Sequence, residues 1–190
     1  MRLRFLVVTL VSLVALASVG VAAAERFRGT EGDDVIIGTF GDDVISALAG
    51  NDTVDAEGGN DKVYAGPGRD RVIAGGGNDL ARGGAGEDDV SGGPGNDHLR
   101  GMQNDDTLTG GDGDDRMWPG SGQDAQYGGD GNDRLHALAD DNQPDLLDCG
   151  PGTDVAVINR RERRFDRAVN CERVRWANPS PAEAASDDAS

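Results

Sequence analysis

The sequence predicts an all-β solenoid, a stack of short strands joined by tight turns, and three periodic features predict it. Glycine recurs at Gly32, Gly41, Gly50, Gly59, Gly68, Gly77, Gly86, Gly95, Gly113, Gly122 and Gly131, in steps of nine, with Asn104 replacing one glycine. Aspartate follows two residues later without a miss, at Asp34, Asp43, Asp52, Asp61, Asp70, Asp79, Asp88, Asp97, Asp106, Asp115, Asp124 and Asp133. Two residues further on stands an apolar side chain: Ile36, Ile45, Val54, Val63, Val72, Ala81, Val90, Leu99, Leu108, Met117 and Leu135, with Gln126 as the exception. After Asp133 the phase slips by three residues and resumes at Asp145 and Asp154, with Leu147 and Ala156 in the apolar slot.

The first element, residues 1–24, stands apart from the repeats. Arg2 and Arg4 give a positive start, an apolar run extends from Phe5 to about Ala22, and Ala22, Ala23 and Ala24 precede Glu25. That is the layout of a secretory signal peptide cleaved after Ala24. The run is also near bilayer-spanning length, so an uncleaved anchor is the alternative.

The second element, residues 25–157, is built from one unit. A stretch such as Gly92-Gly93-Pro94-Gly95-Asn96-Asp97 is a turn, because glycine reaches positive φ at low cost and Asn and Asp favour turns. His98-Leu99-Arg100 can then form a short strand with its middle side chain inward. Such a strand is too short to stand alone, and stacking many of them buries a continuous apolar ladder. A helix is excluded, since Gly75-Gly76-Gly77 would cost about 1 kcal/mol per residue there.

Stacked turns bring aspartates of successive coils together, and like charges so placed repel. A cation removes the conflict. Carboxylates and turn carbonyls are hard oxygen ligands that suit Ca²⁺, whereas Mg²⁺ demands a tighter octahedron and Zn²⁺ prefers His and Cys. His98 and His136 are isolated and fill no repeating slot.

The consensus Gly-Gly-x-Gly-x-Asp-x-apolar-x is met closely by Gly83–Ser91, Gly92–Arg100, Gly110–Trp118 and Gly128–His136. On these residues the chain resembles the RTX, or haemolysin-type, calcium-binding repeat family. The resemblance runs from 29 to 136 and more loosely to about 157. It implies a right-handed parallel β-roll with two units per coil and ions between turns eighteen residues apart. Asp34, Asp52, Asp70, Asp88, Asp106 and Asp124 would then face the ions on one edge. Asp43, Asp61, Asp79, Asp97, Asp115 and Asp133 would do so on the other, with turn carbonyls completing the sites. Thr30, Thr39, Leu48 and Glu57 replace the second glycine of the early units. The amino-terminal leader differs from the one-step export signal of many such proteins, and no long apolar pore-forming segment follows Ala24.

Residues 158–177 leave the pattern, with a basic run at Arg160–Arg164 followed by Phe165, Val169, Val174 and Trp176. An open roll needs its end covered, so this third element is read as a C-terminal cap pinned by Cys149 and Cys171. Export to an oxidising compartment would let the two cysteines pair; two unpaired thiols are the alternative. A basic partner-binding patch is the other reading of the run. Residues 178–190 are read as a disordered tail of small and acidic residues.

Composition limits the function classes. The 190 residues carry a formal net charge of −17, only 4% aromatics and 30 glycines. Acidity on this scale argues against a nucleic-acid partner. The glycine-rich stretches lack the strand–loop–helix setting of a phosphate loop. Asn51-Asp52-Thr53 matches a glycosylation acceptor but is already explained by the repeat. No catalytic set or separate catalytic domain stands out, so no enzyme is expected. Taking eighteen residues per coil, one lateral face would carry Lys62, Tyr64, Leu80, Arg82, His98, Arg100, Arg116, Trp118, Arg134 and His136. The opposite face would carry Val35, Ile37, Thr53, Asp55, Arg71, Ile73, Asp89, Ser91, Thr107, Thr109, Ala125 and Tyr127. The first face is basic and aromatic, and an anionic cell-surface polymer or protein is the partner it suggests. The expectation is a secreted protein that folds on binding several Ca²⁺ ions, with no membrane span in the mature chain.

Overall fold

The computed structural model describes residues 23–178; the apolar leader up to Ala22 and the tail beyond Asn178 lie outside them. Seventeen strands, all paired in parallel, form two sheets, and no helix occurs among the described residues. The nine-stranded sheet holds the odd strands: β1 (Arg26–Arg28), β3 (Val44–Ser46), β5 (Lys62–Pro67), β7 (Leu80–Ala85), β9 (His98–Gln103), β11 (Arg116–Ser121), β13 (Arg134–Ala137), β15 (Val155–Asn159) and β17 (Arg173–Ala177). The eight-stranded sheet holds the even ones: β2 (Val35–Thr39), β4 (Thr53–Glu57), β6 (Arg71–Ile73), β8 (Asp89–Pro94), β10 (Thr107–Asp112), β12 (Ala125–Asp130), β14 (Leu146–Asp148) and β16 (Arg167–Val169). Each coil contributes one strand to each sheet, which makes the chain a solenoid.

The register follows the sequence period. Val63 pairs with Ala81 and Val54 with Val72, eighteen residues apart. Alternation along each strand sends one side chain in and the next out. The apolar slot therefore becomes two inward ladders, and Ile45, Val63, Leu99, Met117, Leu135, Val54, Val90, Leu108 and Leu147 are wholly buried. Both lateral faces are those the eighteen-residue coil predicts. Gln126 sits in the apolar ladder, fully buried, and its Nε2 donates to the His136 carbonyl at 2.7 Å. That bond satisfies half of the amide, while Oε1 is buried without a partner.

Turns stack so closely that glycine is required. At Gly77 (φ 136°) and Gly95 (φ 144°) a Cβ would overlap the carbonyl oxygen of the glycine one coil back. Leu48, Glu57 and Met102 occupy the second-glycine position with φ of 86°, 71° and 97°. Positive φ costs a residue with a Cβ about 1–2 kcal/mol, so three turns are held strained by their neighbours.

The phase slip is absorbed without breaking either sheet. Arg134 pairs with Val155 and Ala125 with Leu146, twenty-one residues apart instead of eighteen. The inserted loop is tied down by Asn159, whose Nδ2 donates to the carbonyls of Leu138 (3.3 Å) and Ala139 (2.9 Å), and by an Arg161–Asp140 ion pair. The C-terminal segment caps the stack by adding a last strand to each sheet, β16 beside β14 and β17 beside β15. A Cys149–Cys171 disulfide joins these final coils.

Candidate metal centre

Both edges of the roll are lined by the periodic aspartates, each placed by the glycine turn that precedes it. On one edge the backbone N–H of Asp52 donates to Asp70 Oδ1 (2.8 Å), that of Asp70 to Asp88 Oδ1 (2.8 Å), and that of Asp88 to Asp106 Oδ1 (2.8 Å). On the other, Asp61 donates to Asp79 (2.7 Å), Asp79 to Asp97 (2.8 Å) and Asp97 to Asp115 (2.8 Å) in the same way. One carboxylate oxygen thus ties each coil to the one before it. Asp43, Asp52, Asp61, Asp70, Asp79, Asp88, Asp97, Asp106, Asp115, Asp124 and Asp133 are all buried, and Asp34 at the open end is half-buried.

The second oxygen is the informative one. In Asp52, Asp61, Asp70, Asp79, Asp88, Asp97, Asp106, Asp115, Asp133 and Asp154, Oδ2 is buried with no hydrogen-bond partner. In five of them it lies against a bare glycine: a Cβ at Gly83, Gly92, Gly101, Gly110 or Gly128 would overlap Oδ2 of Asp88, Asp97, Asp106, Asp115 or Asp133. Leaving a buried charged acceptor unpaired costs at least about 1–3 kcal/mol. Ten such oxygens together cost about 10–30 kcal/mol, as much as or more than the ~5–15 kcal/mol by which a domain is stable.

Burial, with neighbouring carboxylates adding to it, pushes these acids up against the opposing effect of the backbone N–H. Asp61, Asp70 and Asp133 rise to about 6. Asp88, Asp97 and Asp115 rise to about 7, and Asp106 to about 9. Ionised carboxylates on both edges therefore need a positive partner.

The donor set fits a hard divalent cation, since the orphaned atoms along both edges are carboxylate oxygens, and the orphaned nitrogens, Arg82 Nε and His136 Nδ1, belong to strands of the nine-stranded sheet instead. No three acidic, histidine or cysteine side chains converge on one point among the described residues. Each coil supplies one carboxylate per edge, so turn carbonyls would have to complete the 6–8 oxygens that Ca²⁺ takes.

The first two turns differ from the rest. Asp34 Oδ2 accepts from Thr30 N (2.6 Å) and Thr30 Oγ1 (3.0 Å), and Asp43 Oδ2 from Thr39 N (2.7 Å) and Thr39 Oγ1 (2.9 Å). The threonines at the second-glycine position thus take up the oxygens left open elsewhere. Leu48 and Glu57 do not, and Asp52 and Asp61 keep theirs open.

The ladders also run further than the repeat phase indicates. Asp124 N donates to Asp145 Oδ1 (3.0 Å) and Asp145 N to Asp166 Oδ1 (3.2 Å); Asp133 N donates to Asp154 Oδ1 (2.8 Å) and Asp154 N to Glu172 Oε2 (2.7 Å). Asp166 and Glu172 were missed by counting nines. Their signal is the acid followed two residues later by an apolar side chain, Asp166–Ala168 and Glu172–Val174. His98 and His136 lie on the face of the nine-stranded sheet, away from either edge.

A parallel solenoid with glycine turns and carboxylate-lined edges defines a cation-binding β-roll. The family model for the RTX calcium-binding nonapeptide repeat matches in four copies, at residues 28–63, 64–99, 91–125 and 127–143. The chain belongs to that family. No curated protein matches it.

Proposed function

We propose that this protein is exported, is not an enzyme, and folds outside the cell on taking up several calcium ions between its turns. The observation that carries this reading is the double row of buried aspartate Oδ2 atoms with no partner. Bound calcium supplies the charge those oxygens lack, and the aspartates and turn carbonyls hold it. Asp52 through Asp133 are the ligands on this reading, with Asp34 and Asp43 contributing least because Thr30 and Thr39 already satisfy them.

Export is supported by the leader pattern of 1–24 and by the disulfide, a bond that persists in oxidising compartments. Among the described residues no helix is long and apolar enough to cross a membrane. Extracellular calcium sites work at roughly 10⁻⁴–10⁻³ M, so the chain would stay unfolded before export and fold after it. Circular dichroism of residues 25–190 tests this. Calcium is expected to convert a coil spectrum to a β spectrum while magnesium at the same concentration does not. A full β spectrum in chelator at neutral pH would defeat the coupling of folding to calcium.

A further inference from the structure

The outward side chains of the nine-stranded sheet include no acid, although the chain has 35 Asp and Glu. Half of its 18 Lys and Arg stand there. Five consecutive strands, β5 to β13, carry one cation each: Lys62, Arg82, Arg100, Arg116 and Arg134. Ion pairs form at Arg69–Glu87, Arg71–Asp89 and Arg161–Asp140, and Lys62, Arg82, Arg116 and Arg134 make none among the described residues. Those four cations are therefore not held in ion pairs. Arg82 lies over the Tyr64 ring and Arg100 over the Trp118 ring, each 5.4 Å from the centroid, and His136 stacks on Trp118 at 4.9 Å. Burial, followed by the Arg134 and Arg116 guanidiniums, pushes His136 down to about 4.

We propose that this face binds a linear acidic polysaccharide lying along the roll axis, one acid group to each strand. The dimensions select the partner. The two outward rows of a strand lie roughly 7 Å apart, and neighbouring strands about 4.8 Å apart. The result is a narrow cationic stripe, about 19 Å long over these five strands, with acidic turns along both sides. A sugar chain with one carboxylate per residue is a single thin strand of repeated negative charge, which complements such a stripe. A nucleic-acid duplex places its phosphates across a groove ~12 Å wide, over the acidic edges. The half-buried Tyr64 and Trp118 rings give sugar rings flat surfaces between the cations.

The inference goes beyond calcium binding and needs from it only a folded roll. Fluorescein-labelled oligogalacturonate is titrated with the calcium-loaded chain, with uncharged dextran and oligothymidylate as comparisons and circular dichroism confirming the fold. Saturable binding to oligogalacturonate alone is expected. It should weaken by about tenfold or more in Arg82→Ser/Arg116→Ser/Arg134→Ser, and persist in the corresponding lysine variant and in Arg71→Ser on the opposite face. Undiminished binding by the triple serine variant would overturn the proposal, because the calcium-bearing edges would then be the anchor. Tighter binding to oligothymidylate, or no binding to oligogalacturonate by the folded chain, would overturn it equally.

Discussion

At the scale of single residues, each repeated aspartate has two separate tasks. Oδ1 accepts the N–H of the aspartate one coil back, which joins coils; Oδ2 is left open, which calls for a cation. The same residue type is used differently where its neighbour differs, as at Asp34 and Asp43, where threonine closes the open atom. Asp97→Asn keeps an oxygen for the N–H but removes charge from a central site. Its calcium midpoint is expected to rise by about tenfold, since ligand charge sets affinity. Asp34→Asn should leave the midpoint within about twofold of the parent. Isothermal titration of both variants checks the pair, and equal shifts would show that the threonine-closed turns bind as the others do.

At the scale of strand and turn, the period of nine made most of the fold legible. Glycine, aspartate and the apolar slot specify the turns, both edges, the inward ladders and both faces. What lay beyond reading has physical causes. Thr30 and Thr39 stand at the second-glycine position just as Leu48 and Glu57 do, yet only the threonines, which keep negative φ, donate both a backbone N–H and a hydroxyl to the carboxylate four residues on. Gln126 breaks the apolar row because its bond partner, the His136 carbonyl, comes from the neighbouring unit. Asp166 and Glu172 escaped the count because the loops between them and the repeats do not keep nine residues.

The edges also set a pH dependence. Aspartates that ordinarily titrate near 3.8 are raised to between about 6 and 9 in the metal-free roll. The protonated form is therefore favoured by folding. Metal-free stability is fully present below the ordinary value and is lost as pH rises through the raised ones. In chelator the β signal is expected to fall between about pH 5 and pH 8. Calcium should restore it at the upper end, where protons no longer compete for the ligands. A chelated chain equally folded at both pH values would contradict the burial of these acids.

At the scale of the whole molecule, charge is segregated. Although the net charge is −17, no acid among the described residues stands on the outward side of the nine-stranded sheet, and the charged side chains of that face are all cations. The apolar ladders contribute little bulk, being made largely of Val, Ala and Leu, with the small Ala47, Ala56, Ala65 and Ala74 as a second inward row. Cohesion therefore rests on backbone pairing and on whatever neutralises the two edges. The most direct measurement is the anomalous difference density of crystals grown in millimolar calcium. The account predicts calcium peaks along both edges, one coil apart, at the turns from Asp52 to Asp133. A roll of the same shape with those turns empty would contradict it.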